Sequence, residues 1–332
     1  MDMSNRRIII LGKTGVGKSS LANTIIGEER FNIRHSVISV TNKCQAETKS
    51  INGRNITLID TPGFFDTDRS EKELKSEILR CITDFAPGPH AFLILLKVER
   101  YTEHEQSVIT KINQYFSEEV FKYATVVFTH GNQLLEGQTI KDFVRDNEHL
   151  RNLVSKCGGR CHVIDNKYWK NNQQDEYRSN QFQVKQLLKT IDEMVEANGG
   201  RCYTNETLQA VEERIIQEMQ LIRQSQENMS EVQIREEARH SVFDWLLIKL
   251  TGITVGALWG ALFGLVEMVR EVITALPQTG GAGLSEVTAE RAAGAAIRGA
   301  ISGGLRGHDA VEGADTASTA ARMVGYNFME HS

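Results

Sequence analysis

Gly12-Lys13-Thr14-Gly15-Val16-Gly17-Lys18-Ser19 constrains this chain more than any other stretch. It fits G-x-x-x-x-G-K-[ST] at every fixed position and directly follows the apolar run Ile8–Leu11. Glycines let the backbone curl so that its N–H groups face inward at phosphate oxygens. The following helix, expected over Ser19–Ile26, adds the positive end of its dipole. Lys18 is placed to reach the β- and γ-phosphates of a nucleotide, and the Ser19 hydroxyl to bind Mg2+. Ser20 extends the binding stretch by one residue. A glycine-rich turn matching by chance is the competing reading, and the strand before and helix after weigh against it.

A second motif supports the first. In "IDTPGFFD" Asp60 ends an apolar strand, where its carboxylate can hold Mg2+ through water, and Gly63 can offer a backbone N–H to a γ-phosphate. D-T-P-G is also a good turn in its own right.

The rest of the first 200 residues alternates. Cys44–Ile51 and Asn55–Asp60 flank Asn52-Gly53, a strong hairpin signal. Ala91–Lys97, Tyr123–Thr129 and Cys161–Ile164 are further apolar runs of strand length. Helical patterns lie between and after them, near Glu71–Phe85, His104–Phe116, Thr139–Ser155 and Glu176–Ala197. Strands alternating with helices predict an α/β domain over about residues 5–200, with a mostly parallel sheet and helices on both faces. A net charge of −5 gives no reason to expect nucleic acid as a partner. The five cysteines form no CxxC pair, which suits a reducing compartment and argues against a disulfide or zinc framework. The polar start MDMSNRR has neither an apolar signal core nor a glycine at position 2, so a cytoplasmic protein is expected.

These motifs together resemble the GIMAP family, the GTPases of immunity-associated proteins with an AIG-type G domain. GKTGVGKS, SVTNKC, DTPGFFD, PGPHAFLILL, ERYT and FTHGNQL carry the resemblance, which covers about residues 6–200. It implies a P-loop NTPase G domain that binds GTP or GDP with Mg2+ and hydrolyses GTP slowly. Thr41 resembles the switch threonine that completes the Mg2+ shell, and Ile33 stands where family members often carry a serine. Thr129-His130-Gly131-Asn132 resembles the family's base-reading T-x-x-D, with Asn132 in place of the aspartate. An amide offers one acceptor and one donor, so guanine would keep one hydrogen bond and meet a donor–donor conflict costing about 1–3 kcal/mol. His130 can stack on the base, and Asn166 resembles the fifth-motif asparagine. Small GTPases often place a water-orienting glutamine after D-x-x-G; here Phe64 and Phe65 follow. Arg100 resembles an arginine on the face where two G domains meet, where it would act as a finger in trans. A surface arginine paired with Glu99 or Glu103 is the alternative. The implied reading is a switch that self-associates through its nucleotide face, with Arg100, Thr41 and Lys18 as the catalytic set. A non-hydrolysing scaffold gated by GTP, and a nucleotide hydrolase of relaxed base specificity, stay open beside it.

Beyond residue 200 the chain changes character. Leu208, Val211, Ile215, Met219 and Ile222 recur every three or four positions, predicting an amphipathic helix or short coiled coil over residues 201–242. A cut after about His240 is therefore expected to leave a soluble nucleotide-binding domain. Residues 245–310 read as a glycine-rich helical pair and 311–332 as a tail. Gly252, Gly256, Gly260 and Gly264 share one helix face, and Ala295, Gly299, Gly303 and Gly307 form a second row. Interior glycines cost about 1 kcal/mol each, so a close helix–helix contact is expected. Leu250–Val266 carries no charge, which admits two readings: contact with an internal membrane, or a soluble pair packed on the G domain. The effector is not legible.

Overall fold

The computed structural model describes residues 5–31, 45–51, 53–61, 71–99, 106, 108–110, 112–113, 116–170, 175–225, 229–250 and 255–263. Ile33, Thr41, Gly63, Phe64, Arg100 and the second glycine row lie outside the described residues. Six strands form one sheet: β1 Asn5–Leu11, β2 Gln45–Ile51, β3 Arg54–Asp60, β4 Ala91–Lys97, β5 Ala124–Thr129 and β6 Cys161–Val163. Their order is β2-β3-β1-β4-β5-β6. Only β2 runs antiparallel, against β3, with Gly53 in the left-handed region at the turn. The helices are α1 Lys18–Ile26, α2 Glu71–Phe85, α3 Glu118–Lys122, α4 Ile140–Arg145, α5 Glu148–Lys156, α6 Asn180–Ala197, α7 Glu206–Ser225, α8 Glu231–Lys249 and α9 Val255–Leu262. The expected α/β domain is thus present.

Period-two alternation divides the core. Ile8, Ile10, Leu93 and Leu95 face a layer formed with Leu21, Ile25, Leu187 and Ile191 of α1 and α6. Ile9, Leu11, Phe92 and Ile94 face the opposite layer, which includes Ile78 and Ile82 of α2. Central strands buried on both faces read as unbroken apolar runs, and Ile8 through Leu11 are indeed fully buried. β1 lies between β3 and β4, so the crevice at its carboxyl end is the switch point where ligands bind in open α/β sheets.

Two helical patterns break where capping residues intervene. The run expected over Thr139–Ser155 is two helices. Thr139 and Asp142 form a capping box for α4, and the Asn147 side chain accepts from Leu150 N–H at 3.0 Å to start α5. The amphipathic pattern after Asn205 likewise becomes two helices. Ser230 and Gln233 form a capping box that begins α8. α7 and α8 are joined by two hydrogen bonds from Arg235 to the Glu212 carboxylate, at 2.8 and 2.7 Å.

This extension is part of the core rather than an appendage. Leu208, Val211, Ile215, Val242, Leu246, Leu258 and Phe263 belong to the cluster that holds Phe92, Phe116 and Ile78. Phe263 lies 4.4 Å from Phe116 and 6.1 Å from Phe92, centroid to centroid. Asn205 ties both ends: its Oδ1 accepts from Leu208 N–H at 2.9 Å, and its Nδ2 donates to Ala261 O and Leu262 O at 3.0 and 2.9 Å. α9 contains Gly256 and Gly260 and packs with Ala257, Leu258, Ala261 and Leu262 buried. Among the described residues no helix is long and apolar enough to cross a membrane.

The expected cut after His240 would run through α8 and remove Val242, Phe243, Leu246, Leu250, Leu258 and Phe263 from the core. Burying one such side chain contributes roughly 1.5–3 kcal/mol, against a total stability of about 5–15 kcal/mol for a folded protein. A chain ending at His240 is therefore expected to lose its cooperative thermal transition, read by scanning calorimetry.

His90 gives a second prediction. Its Nδ1 accepts from Arg7 N–H at 3.0 Å. Burial first, then the neighbouring Arg7 and Arg6 charges, pushes its pKa down to about 4. A histidine pKa depressed by folding means that the unfolded chain takes up the proton first. Stability is therefore lost as pH falls from the ordinary histidine range of about 6.5 toward 4. Between pH 7 and pH 5 this amounts to about 2 kcal/mol. In His90→Gln, the loss measured by urea unfolding over that interval is expected to be smaller by about that amount.

Candidate functional site

The phosphate loop occupies the switch-point crevice. A β-carbon on Gly12 would lie 2.9 Å from Val16 Cγ1 and 3.0 Å from Leu95 O, so glycine is required there. Gly15 at φ 74 and Gly17 at φ 95 take the left-handed region that other side chains resist. Gly17 caps α1 without a side chain, which leaves the first N–H groups of the helix to an anion. The buried Lys18 donates from Nζ to Gly12 O and Lys13 O, both at 3.0 Å, and so closes the loop on itself. Lys13 pairs with Glu99 at 3.7 Å. Thr14 and Gly15 are exposed at the rim, Val16 is buried beneath it, and Ser20 is half-buried on the first turn of α1.

β3 delivers Asp60 beside this loop. Ser19 Oγ–H donates to Asp60 Oδ2 at 2.5 Å. Asp60 is fully buried, and its Oδ1 has no hydrogen-bond partner. Burial pushes its carboxyl pKa up, while Lys18 and the Ser19 hydroxyl pull the other way. A buried carboxylate with an open oxygen next to a serine hydroxyl fits a hard divalent cation that keeps several of its own waters, as Mg2+ does. Ser19 and Asp60, each read from the sequence as a residue that would hold Mg2+, thus lie side by side.

The other side of the crevice is built from the ends of β5 and β6. Thr129 Oγ1–H donates to Val16 O at 2.8 Å, tying this side to the phosphate loop. His130 follows at φ 60 and stands exposed. Partial desolvation, then Lys97, lowers its pKa. Gly131–Gln133 make a single 3-10 turn. Gly131 N–H donates to Ile164 O at 3.1 Å, and a β-carbon on Gly131 would lie 2.5 Å from the Trp169 ring. Asn132 N–H donates to Asp165 Oδ2 at 3.0 Å. Asn166 Oδ1 accepts from Thr24 Oγ1 at 3.1 Å, and its Nδ2 lies 3.0 Å from where a β-carbon of Gly17 would stand. Gly12 through Ser20, Asp60, His130, Gly131, Asn132 and Asn166 are thus brought to one edge of the sheet.

Sequence reasoning missed Asp165. It is buried and accepts at Oδ1 from Lys167 N–H at 2.9 Å and from Tyr168 N–H at 2.6 Å. Asn180 braces it from α6, with Nδ2 donating to Asp165 O at 2.7 Å. An aspartate starting "DNKY" is a ready Asx turn, and that local signal was available. The packing of Trp169 over Gly131 had no such signal.

A model of the AIG1 family matches residues 6–223. Immune-associated nucleotide-binding protein 9 of Arabidopsis thaliana is 31% identical over 215 residues, 64% of this chain and 61% of that protein. Immune-associated nucleotide-binding protein 10 of the same plant is 32% identical over 240 residues, 70% of this chain and 50% of that protein. GTPase IMAP family member 8 of Homo sapiens is 30% identical over 203 residues, 61% of this chain and 30% of that protein. The chain thus spans 61% and 50% of the length of the two plant relatives. Among solved structures, Toc33 of Arabidopsis thaliana with GDP and Mg2+ aligns at TM-score 0.44 and 23% identity, covering 58% of this chain and 85% of that one.

Replacing Lys18 by alanine removes the cation on the Gly12 and Lys13 carbonyls. The variant is expected to bind no nucleoside triphosphate in calorimetry at concentrations that saturate the wild type. Unchanged affinity would take the phosphate site elsewhere.

Proposed function

The chain belongs to the AIG1 family, and on that premise we propose that it binds GTP and GDP with Mg2+ and hydrolyses GTP slowly, faster when two nucleotide faces meet. The observation that carries this reading is the buried Asp60 with one oxygen on Ser19 and the other unpartnered, set beside a complete phosphate loop. The human relative named above is called a GTPase, in keeping with it.

The chain's own groups divide the work. The N–H groups of the loop and of the first turn of α1 bind phosphate oxygens. Lys18 turns from the Gly12 and Lys13 carbonyls to the β- and γ-phosphates, so part of the energy that now closes the loop passes to the ligand. Ser19 and Asp60 hold the cation; Mg2+, when bound, neutralises charge on the phosphates. Thr41 is proposed to complete the Mg2+ shell and Gly63 to give its N–H to a γ-phosphate. Phe64 and Phe65 stand where small GTPases often carry a water-orienting glutamine, so an isolated domain turns over slowly. Arg100 supplies the missing transition-state charge from a second copy.

A rival reading, a GTP-gated scaffold without turnover, is favoured by the same two phenylalanines. One experiment separates the two. GTP turnover per molecule is expected to rise with protein concentration, and Arg100→Ala to abolish the rise while leaving nucleotide affinity within about twofold. An arginine finger is worth about 10³–10⁵ in rate, so the difference is large. Zero turnover at every concentration supports the scaffold, and equal rates for both proteins return Arg100 to the surface.

A further inference from the structure

The base-reading turn carries an amide where its architecture has room for a carboxylate. Asn132 is half-buried on a 3-10 turn whose backbone is held at three points: Gly131 N–H on Ile164 O, the Trp169 ring against Gly131, and Asn132 N–H on Asp165. The point from which the side chain leaves the backbone is therefore set by the fold. Among the described residues its amide makes no hydrogen bond and is available to a ligand.

Among the described residues no neighbouring acid takes over the role. Asp165 is 2% exposed, and its two oxygens already accept from the N–H groups of Asn132, Lys167 and Tyr168. Turning it toward a ligand would strand three backbone donors, the N–H groups of Asn132, Lys167 and Tyr168. Glu99 is paired with Lys13 of the phosphate loop.

Edge chemistry then decides which base fits. Guanine presents two adjacent donors, N1–H and the 2-amino group. The Asn132 amide can accept from one through Oδ1 and must set its own Nδ2 donor against the other. Xanthine keeps N1–H and has a carbonyl at C2, so donor meets acceptor and acceptor meets donor. Hypoxanthine keeps N1–H and carries only C–H at C2, so it makes one bond and meets no conflict. All three share the 6-oxo group, which cannot tell them apart.

We propose that Asn132 sets this site for purine nucleotides with an oxo group at C2, so that xanthine nucleotides bind more tightly than guanine nucleotides. The proposal rests on the nucleotide-binding reading above. Leaving a buried donor unpaired weakens binding by about tenfold to a hundredfold, and that is the margin by which xanthosine diphosphate exceeds guanosine diphosphate. Inosine diphosphate falls between them. Guanine nucleotides still bind, because the phosphate loop and the cation pair do not sense the base.

The test is calorimetric titration of the full-length, nucleotide-free chain with the diphosphates of xanthosine, inosine, guanosine and adenosine, each with Mg2+. The expected order of affinity is xanthosine, inosine, guanosine. Asn132→Asp restores two acceptors and is expected to bring guanosine diphosphate to the front. The wild-type order needs no variant, so a misfolded Asn132→Asp chain does not rescue the idea. Guanosine diphosphate binding as tightly as xanthosine diphosphate in the wild type overturns the inference and leaves nucleotide binding intact. So does an order that a folded Asn132→Asp chain fails to change. Binding of none of the four overturns the nucleotide reading, and this inference with it.

Discussion

β1 between β3 and β4 is the constraint from which the rest follows. Parallel pairing on both sides, with Ile8 opposite Leu58 and Ala91, goes with complete burial of Ile8 through Leu11. A fully buried strand must send its chain out at its carboxyl end, and Gly12 begins the turn there. The same registers carry Asp60 and Lys97 to that edge, because β3 and β4 run alongside β1 in its direction. Thr129 reaches it through β5, whose last residue pairs with Lys97. The site is thus a consequence of sheet order. Groups distant in sequence, such as the Thr129 hydroxyl and the Val16 carbonyl, meet at 2.8 Å without any local motif joining them.

The G-domain layers and the phosphate loop were legible because their signals are short-range. Glycine spacing, four consecutive apolar residues and Asn52-Gly53 each specify a local geometry, and β4 and α2 occupy the expected spans Ala91–Lys97 and Glu71–Phe85. Helix breaks were less legible. The apolar pattern resumes at Leu150 after Asn147 and at Ile234 after Ser230, and the capping contacts reveal that the chain restarts at these two residues. The region after Tyr203 was the least legible. A stripe such as Leu208, Val211, Ile215 and Met219 says that a face will be buried, and nothing in it names the partner. Helix α2, the sheet end at Phe92, a second chain or a lipid surface would give the same pattern. The partner is fixed by tertiary facts, chiefly the Phe263 ring against Phe116 and the Asn205 side chain bonded to the end of α9.

Within the site the split is similar. Lys18, Ser19 and Asp60 could be assigned from sequence because phosphate and cation chemistry demand those residue types at those spacings. Asp165 could not, since a carboxylate that binds only backbone N–H groups leaves no chemical signature beyond a turn. Yet it determines what Asn132 can do. The carboxylate is committed below the turn, to the N–H groups of Asn132, Lys167 and Tyr168, and the Asn132 side chain is left half-buried above it.

The polar groups under the extension explain why it seats in one way. An interface made only of Leu, Val and Phe side chains tolerates sliding, because burial is non-directional. Here Arg235 grips both oxygens of Glu212 and reaches Ala86 O at 3.5 Å, while Arg7 Nε–H donates to Gly88 O at 2.8 Å. Tyr203 N–H donates to Pro89 O at 2.8 Å, and a β-carbon on Gly88 would collide with Tyr203 O. Asp84 sits among Arg239 and Arg80, its pKa pushed up to about 6 by burial against their opposing pull. Such groups add little net stability, because desolvation offsets their attraction, but a shifted register would leave half-buried charges without partners in a partly desolvated seam. The apolar surface supplies the affinity of α7–α9 for the G domain, and the segment Ala86–His90, with the arginines around it, supplies the register.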